Sequence, residues 1–189
     1  MPPADERRPL PLYLRPPTPL WTLTLAEVMS PPDAPESMSE WWDRRVRDGW
    51  RDLDRAVERH GLRDSVMPSG VDGYAIAYHL RSGTIAVIET ASGIAVGGLF
   101  EGNLHVLAGH QRRGLAAAVM DLAFEVGIKK IGHNVALSRG GRATRRAAHR
   151  LSVARALVRG LAVRPEVLAD YPDLAPADEA MPAMPGTGP

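Results

Sequence analysis

Gln111-Arg112-Arg113-Gly114-Leu115-Ala116 offers the clearest chemistry in this chain. The short apolar run Leu104 to Leu107 leads into a polar turn over Gly109 to Arg113, and Gly114 then opens an alanine-rich amphipathic stretch. A strand, a basic turn and a glycine at a helix start bring backbone N–H groups to a point where an anion accepts from them. First-turn N–H groups have no intrahelical partners, and the helix dipole adds attraction for negative charge. Gly114 has no Cβ to hold a phosphate off the backbone. Ala116 is the next smallest residue, and Arg112 and Arg113 stand where they can neutralise phosphate charge.

The second concentration of chemistry is basic. Arg139, Arg142, Arg145, Arg146, Arg150, Arg155 and Arg159 fall in one stretch with no acid among them. Arg142, Arg145, Arg146, His149 and Arg150 follow i, i+3, i+4, i+7, i+8 spacing, which places them on one helix face able to contact phosphates. The alternative is that acids of the 37–60 segment, or Glu166, Asp170 and Asp173, cover that face.

These groups need elements to position them. Ser37 to His60 reads as a helix, with a Ser37/Glu40 capping box, an apolar face of Trp42, Val46, Trp50, Leu53 and Val57, and Gly61 as its stop. From Gly73 the period changes. Tyr74 to Leu80, Thr84 to Thr90 and Ile94 to Leu99 read as strands separated by Ser82-Gly83 and Ser92-Gly93, which predicts antiparallel hairpins. Leu104 to Leu107 adds a strand with His105 and Leu107 on one face and Leu104 and Val106 on the other. Tyr74 and Tyr78 share a face of their strand, where cross-strand packing is the expected role.

A helix is expected from Gly114 to about Val126, with Leu115, Val119, Leu122 and Val126 on its buried side and Gly127 ending it. Asn134 to Leu137 reads as a weak strand, Arg139-Gly140-Gly141 as a loop, and Ala143 to Arg159 as a second long helix ended by Gly160. Trp21 to Val28 fits a strand or a helix equally. The expected organisation is an extended proline-rich arm over 1–36, an α/β (α+β) domain over 37–160, and a C-terminal segment over 161–189 that ends in a disordered Pro/Gly/Ala tail, Met181 to Pro189.

Composition sets the bounds. The 189 residues suit one domain, and 44% hydrophobic content with only 2 Phe implies a small-residue aliphatic core. A net charge of +1 argues against wholesale nucleic-acid binding. The absence of cysteine excludes disulfides, thiolate metal sites and a cysteine nucleophile. With no signal-like run and no 18-residue apolar stretch, no membrane association is expected and a cytoplasmic location is.

Gln111 to Ala116 fits Q/R-x-x-G-x-G/A and resembles the acyl-CoA-binding motif of the GCN5-related N-acetyltransferase (GNAT) superfamily. Leu104 to Leu107 resembles that family's central strand, which pairs with the pantetheine arm. The resemblance covers about residues 73 to 127. It implies a GNAT-like mixed, mainly antiparallel sheet flanked by helices, with acetyl-CoA as acyl donor and an amine as acceptor. Leu104, Val106, Leu107, Gln111, Arg112, Arg113, Gly114, Leu115 and Ala116 would hold the donor. Acyl transfer to an amine also needs a proton acceptor; Glu101, His105 and His110 lie near the motif, and Glu101 and His105 are the candidates. The family's second half departs: Ile128 to Leu137 supplies at most one weak strand, and no tyrosine follows until Tyr171. VRPEVLADYPDL (Val163 to Leu174), with RRAAHRLSVARAL before it, resembles a C-terminal segment of phage- and plasmid-encoded proteins, including GNAT-like ones. The alternative function is a non-catalytic phage or plasmid accessory protein that binds nucleic acid or a protein partner through Arg142, Arg145, Arg146 and Arg150.

Overall fold

A computed structural model describes residues 17–33, 53–100, 102–128 and 137–174. Its centre is a five-stranded antiparallel sheet in sequence order: β1 (Met67–Pro68), β2 (Tyr74–His79), β3 (Thr84–Glu89), β4 (Ala95–Phe100) and β5 (Asn103–Val106). The expected α/β (α+β) fold, a sheet flanked by helices, is formed; where a mixed, mainly antiparallel sheet was expected, all the described strands pair antiparallel. The four strands read from alternation are all present, each within two residues of its expected ends. β1 was not expected, since two residues, one of them proline, give no alternation to read.

Helices cover both faces of the sheet. Leu53 and Val57, on a helical segment over residues 53–59 (α2), pack against Ala77, Ala86, Ile88 and Ala95. Alanines on this face let α2 approach closely. Gly61 follows at φ 58, the left-handed stop expected there. The Ser37/Glu40 capping box and the tryptophans of that helix lie outside the described residues. On the other face, Tyr74, Ile76, Ile85, Val87, Val96 and Leu99 pack against α3 (Leu115–Glu125). Fully burying each Ile or Val here contributes about 1.5–3 kcal/mol.

β4 shows why the two faces stay apolar despite a break in its alternation. Val87 pairs with Gly97 but Ile88 pairs with Ala95, so Val96 is an extra residue and the strand changes parity there. Leu99 thereby joins Val96 on the α3 side. Gly98 permits the close crossing that follows, because a Cβ at that position would stand 2.0 Å from the Ile85 carbonyl oxygen.

α3 is buried nearly all round because α4 (Arg139–Val158) packs on its far side. Phe124, Met120 and Ala117 meet Ala148, Leu20 and Val28 in that second layer. Asp121 of α3 and Arg155 of α4 pair at 2.9 Å across it. Burial raises the Asp121 carboxyl above its ordinary value, against the opposing pull of Ser152 and Arg155. α3 ends as expected: Gly127 is at φ 79, and the Ile128 N–H reaches the Ala123 carbonyl at 2.8 Å.

The start of α4 corrects the sequence reading. Arg139-Gly140-Gly141 is not a loop but the first turn of the helix, capped by Ser138, whose hydroxyl accepts from the Gly141 N–H at 3.0 Å. A serine cap outweighs the poor helix propensity of two glycines in a first turn. Of the weak strand expected over 134–137, only Leu137 is described, and it makes an isolated parallel bridge with Asp33.

The segment before the sheet also differs from expectation. Within the arm expected to be extended, residues 17–33 are docked. Leu20 is 0% exposed and Val28 2% exposed. Thr24 and Glu27 form a capping box on α1 (Leu25–Val28), which decides the strand-or-helix alternative at residues 21–28. At the other end, α5 (Pro165–Ala169) and Tyr171 lie on α4, where Val153, Val167 and Tyr171 share a small core. The tail expected over 181–189 lies outside the described residues. No helix among the described residues is long and apolar enough to cross a membrane.

Candidate functional site

β5 ends at Val106, and the chain then makes one 3₁₀ turn over Ala108–His110 before α3 begins. The Gln111 side chain closes this turn, its amide donating to the Val106 carbonyl at 2.8 Å. Arg112 is at φ 60, the one non-glycine residue at positive φ among those described. A left-handed conformation at a residue with a Cβ costs about 1–2 kcal/mol. Gly114 follows at φ 86 as the N-cap of α3, and no side chain caps that helix. The N–H groups of its first turn are therefore available to a ligand.

A cleft of about 550 Å³ opens there. Leu104, His105 and Val106 of β5 form one side, His110 to Arg112 and Gly114 the turn, and Leu115 to Ala117 the start of α3. Facing them are Ser138, Gly140, Gly141, Ala143, Thr144 and Ala147 from the N-terminal turns of α4. Two helix N-termini thus meet at one cleft, and among the described residues no carboxylate lines it. Its volume is within the usual range of about 300–1,000 Å³ for small-molecule sites.

The β5 edge adds a third feature. Leu107 N–H bonds Val96 at 2.9 Å, and His105 lies opposite Gly98 in the same register. Antiparallel alternation then directs the Leu104 N–H and C=O away from β4, toward the open edge. Among the described residues, β5 pairs only with β4.

Seven of the expected donor-holding residues line the cleft: Leu104, Val106, Gln111, Arg112, Gly114, Leu115 and Ala116. Two do not. Leu107 packs against the main core, and Arg113 lies over the Tyr74 ring, with Cζ 5.9 Å from the centroid. Of the two expected proton acceptors, His105 lines the cleft and Glu101 lies outside the described residues. The α4 contribution was missed because Arg139-Gly140-Gly141 reads as a loop; Ser138 directly before it was the available signal.

The arginine stripe is not the open basic face that its spacing suggested. Arg145 is 4% exposed and donates to the Val28 carbonyl at 2.8 Å. Arg142 pairs with Asp33 and donates to the Pro31 carbonyl at 3.0 Å. Arg150 pairs with Asp173 at 2.7 Å, and Arg146 is exposed. The physical reason is that α4 carries docked chain on this side: residues 20–33 and 164–173 need donors for their carbonyls and cations for their acids. Asp173 is one of the acids named above as able to cover the stripe.

His149, in the same stripe, is 0% exposed. Its Nε2 is 2.8 Å from the Leu23 carbonyl, which can only accept, so Nε2 carries the proton. Nδ1 then accepts from the Tyr171 hydroxyl at 2.8 Å. Burial holds this imidazole below its ordinary value, against the pull of the Leu23 carbonyl and Asp170. Burial likewise raises the Tyr171 hydroxyl. The pairing gives VRPEVLADYPDL a structural role: it supplies the residues that close over α4.

Compared with known proteins, the chain matches no protein-family model, no curated protein and no solved structure.

Proposed function

We propose that this chain binds acetyl-CoA in the cleft between β5, α3 and α4 and transfers the acetyl group to an amine. The observation that carries the reading is the uncapped start of α3, with Gly114 at φ 86 and the N-terminal turns of α4 on the same cleft. The residues present fit the donor. The N–H groups following Gly114 are free to donate to a diphosphate, and Gly114 presents no Cβ in their path. The Leu104 N–H and C=O on the open edge of β5 offer amide partners to a pantetheine arm running alongside.

When bound, the donor supplies an activated thioester. The protein's part is to hold it in line with the acceptor, to keep water from the carbonyl with the apolar side chains of Leu104, Val106 and Ala117, and to take a proton from the attacking amine. Transfer is direct, from donor to amine, with no acyl-enzyme. His105, on the strand that lines the cleft but with its side chain on the face opposite to Leu104 and Val106, is the candidate proton acceptor among the described residues.

Titration calorimetry with acetyl-CoA tests the binding, and release of free thiol in the presence of a panel of primary amines tests the transfer. Binding by the wild type that is abolished by Gly114→Glu is the expected result. No binding of acetyl-CoA at millimolar concentration would overturn the reading.

A further inference from the structure

A second cavity, of about 330 Å³, opens at the other edge of the sheet. The cleft described above lies at β5 and the start of α3; this one lies between β1, β2 and the later turns of α3. Its apolar wall is Met67 and Pro68 of β1, Ile76 of β2, and Leu122 and Val126 of α3. It exists because β1 stops short. The ladder beside β2 begins with Met67 opposite Ile76, so Tyr78 has no strand beside it on that edge among the described residues. Ala118 adds only a methyl group on the α3 side. Met67 is left 39% exposed, a large apolar side chain facing solvent at this wall.

Tyr78, Glu125 and Arg155 bring polar groups to the cavity. The Tyr78 ring packs on the main core, and Glu125 pairs with Arg159 at 3.5 Å. Arg155 is held in place. Nη1 donates to Asp121 at 2.9 Å, and Nη2 donates to the Ser69 carbonyl at 2.9 Å. Gly70, at φ 79, passes so close that a Cβ there would stand 2.5 Å from Nη2. A guanidinium carries more N–H groups than these contacts use. The side chain remains 38% exposed, so a fixed donor is presented to whatever enters.

Charge decides what that is. Arg155 is matched by Asp121, which is 4% exposed, and Glu125 by Arg159. An anion drawn to Arg155 competes with Asp121, and a buried carboxylate stripped of its cation is costly. A cation drawn to Glu125 competes with Arg159. An uncharged ligand disturbs neither pair. Its carbon skeleton replaces water against Met67, Ile76, Leu122 and Val126, and one oxygen accepts from the fixed guanidinium. The Met67 thioether and the Tyr78 ring favour a flat aromatic skeleton. The volume is at the small end of the usual range of about 300–1,000 Å³, which suits a single or fused ring.

We propose that this cavity is a second small-molecule site, for an uncharged aromatic compound whose hydroxyl or carbonyl oxygen accepts a hydrogen bond from Arg155. The proposal goes beyond the acetyl-CoA reading and needs nothing from the cleft, so either can fail without the other.

The test uses 2-naphthol, naphthalene and 2-naphthoate, which share one skeleton and differ in the polar group. Ligand-observed NMR titration of the full chain gives the affinity of each. Saturable binding of 2-naphthol is expected, with naphthalene and 2-naphthoate about tenfold weaker or more. In methionine-methyl-labelled protein the Met67 resonance shifts with 2-naphthol, while that of Met120, on the α4 side of α3, does not. Leu122→Trp fills the cavity and abolishes binding; Met67→Trp, at a more exposed position, does the same if Leu122→Trp does not fold. Arg155→Lys keeps a cation beside Asp121 but loses the planar fork, and brings 2-naphthol down to the affinity of naphthalene. Absence of saturable 2-naphthol binding at millimolar concentration would overturn the proposal, as would binding that survives the tryptophan variants. Naphthalene or 2-naphthoate binding as tightly as 2-naphthol, or an undiminished preference for 2-naphthol in Arg155→Lys, would overturn the ligand class.

Discussion

Replacing Gly114 by alanine separates the shape of the cleft from the stability of the fold. At φ 86, a Cβ on residue 114 meets nothing nearer than the Val71 Cγ2 methyl, at 4.0 Å. Packing therefore adds no penalty, and the cost is the backbone's alone. Holding a residue with a Cβ in the left-handed region costs about 1–2 kcal/mol. Alanine returns about 0.4–1 kcal/mol by narrowing the unfolded ensemble. The net destabilisation is about 1 kcal/mol, which moves a urea midpoint by about 0.3–1 M. Binding should suffer more. The new methyl stands at the helix start where a diphosphate must approach, and losing even one charge-assisted hydrogen bond there weakens binding about tenfold or more. Urea unfolding followed by circular dichroism gives the first quantity, and calorimetry with acetyl-CoA the second. Wild-type affinity in a folded Gly114→Ala protein would refute the placement of the ligand. A stability loss of several kcal/mol would refute the claim that the turn has room.

Gly98→Ala has the contrasting outcome: with Cβ 2.0 Å from the Ile85 carbonyl oxygen, β3 and β4 must separate, and a loss of at least about 3 kcal/mol is expected in the same unfolding assay. Tyr171→Phe leaves His149 Nδ1 buried without its donor and should cost about 1–3 kcal/mol, read as a lowered urea midpoint. The pH dependence follows from the same residue. The native state holds His149 neutral, so on acidification the unfolded chain takes up the proton first. Its contribution is fully present above about pH 6.5 and declines below it, at up to about 1.4 kcal/mol per pH unit. Urea midpoints between pH 5 and 7.5 should show this slope, and His149→Gln, with a donor and an acceptor but no titration, should flatten it.

The sheet and α3 were legible because their signals are local. Alternation marks β2 to β5, the i, i+3, i+4 pattern marks α3, and Gly61, Gly127 and Gly160 stand where α2, α3 and α4 stop. The QRRGLA turn was legible for the same reason, since its course from β5 into α3 is set by neighbours in sequence. What could not be read depends on residues far apart. The cleft needs Ser138 and Thr144 opposite Gly114, and the second cavity joins Met67, Tyr78, Leu122 and Arg155 from four separate elements. Charge misled most at α4. Seven arginines in one stretch suggest an exposed basic face, yet a guanidinium also satisfies several carbonyls at once, and Arg142 and Arg145 do so with residues 28–33. Composition carries no information about which of these uses a cation serves.

The clasp on α4 also has a consequence in time. Leu23 meets His149 across 126 residues of chain, and His149 meets Tyr171 only after 22 more. Such contacts close large loops before they return any stability, which slows folding. During synthesis the sheet, α3 and the basic turn emerge as a nearly local unit. The facing wall of the cleft, the first turns of α4, emerges after α3, and the clasp over α4 is complete only when residue 171 has followed. The clasp therefore closes only after the sheet, α3 and the first turns of α4 have been made, and a nascent chain that stops short of Tyr171 leaves His149 Nδ1 without its hydroxyl partner.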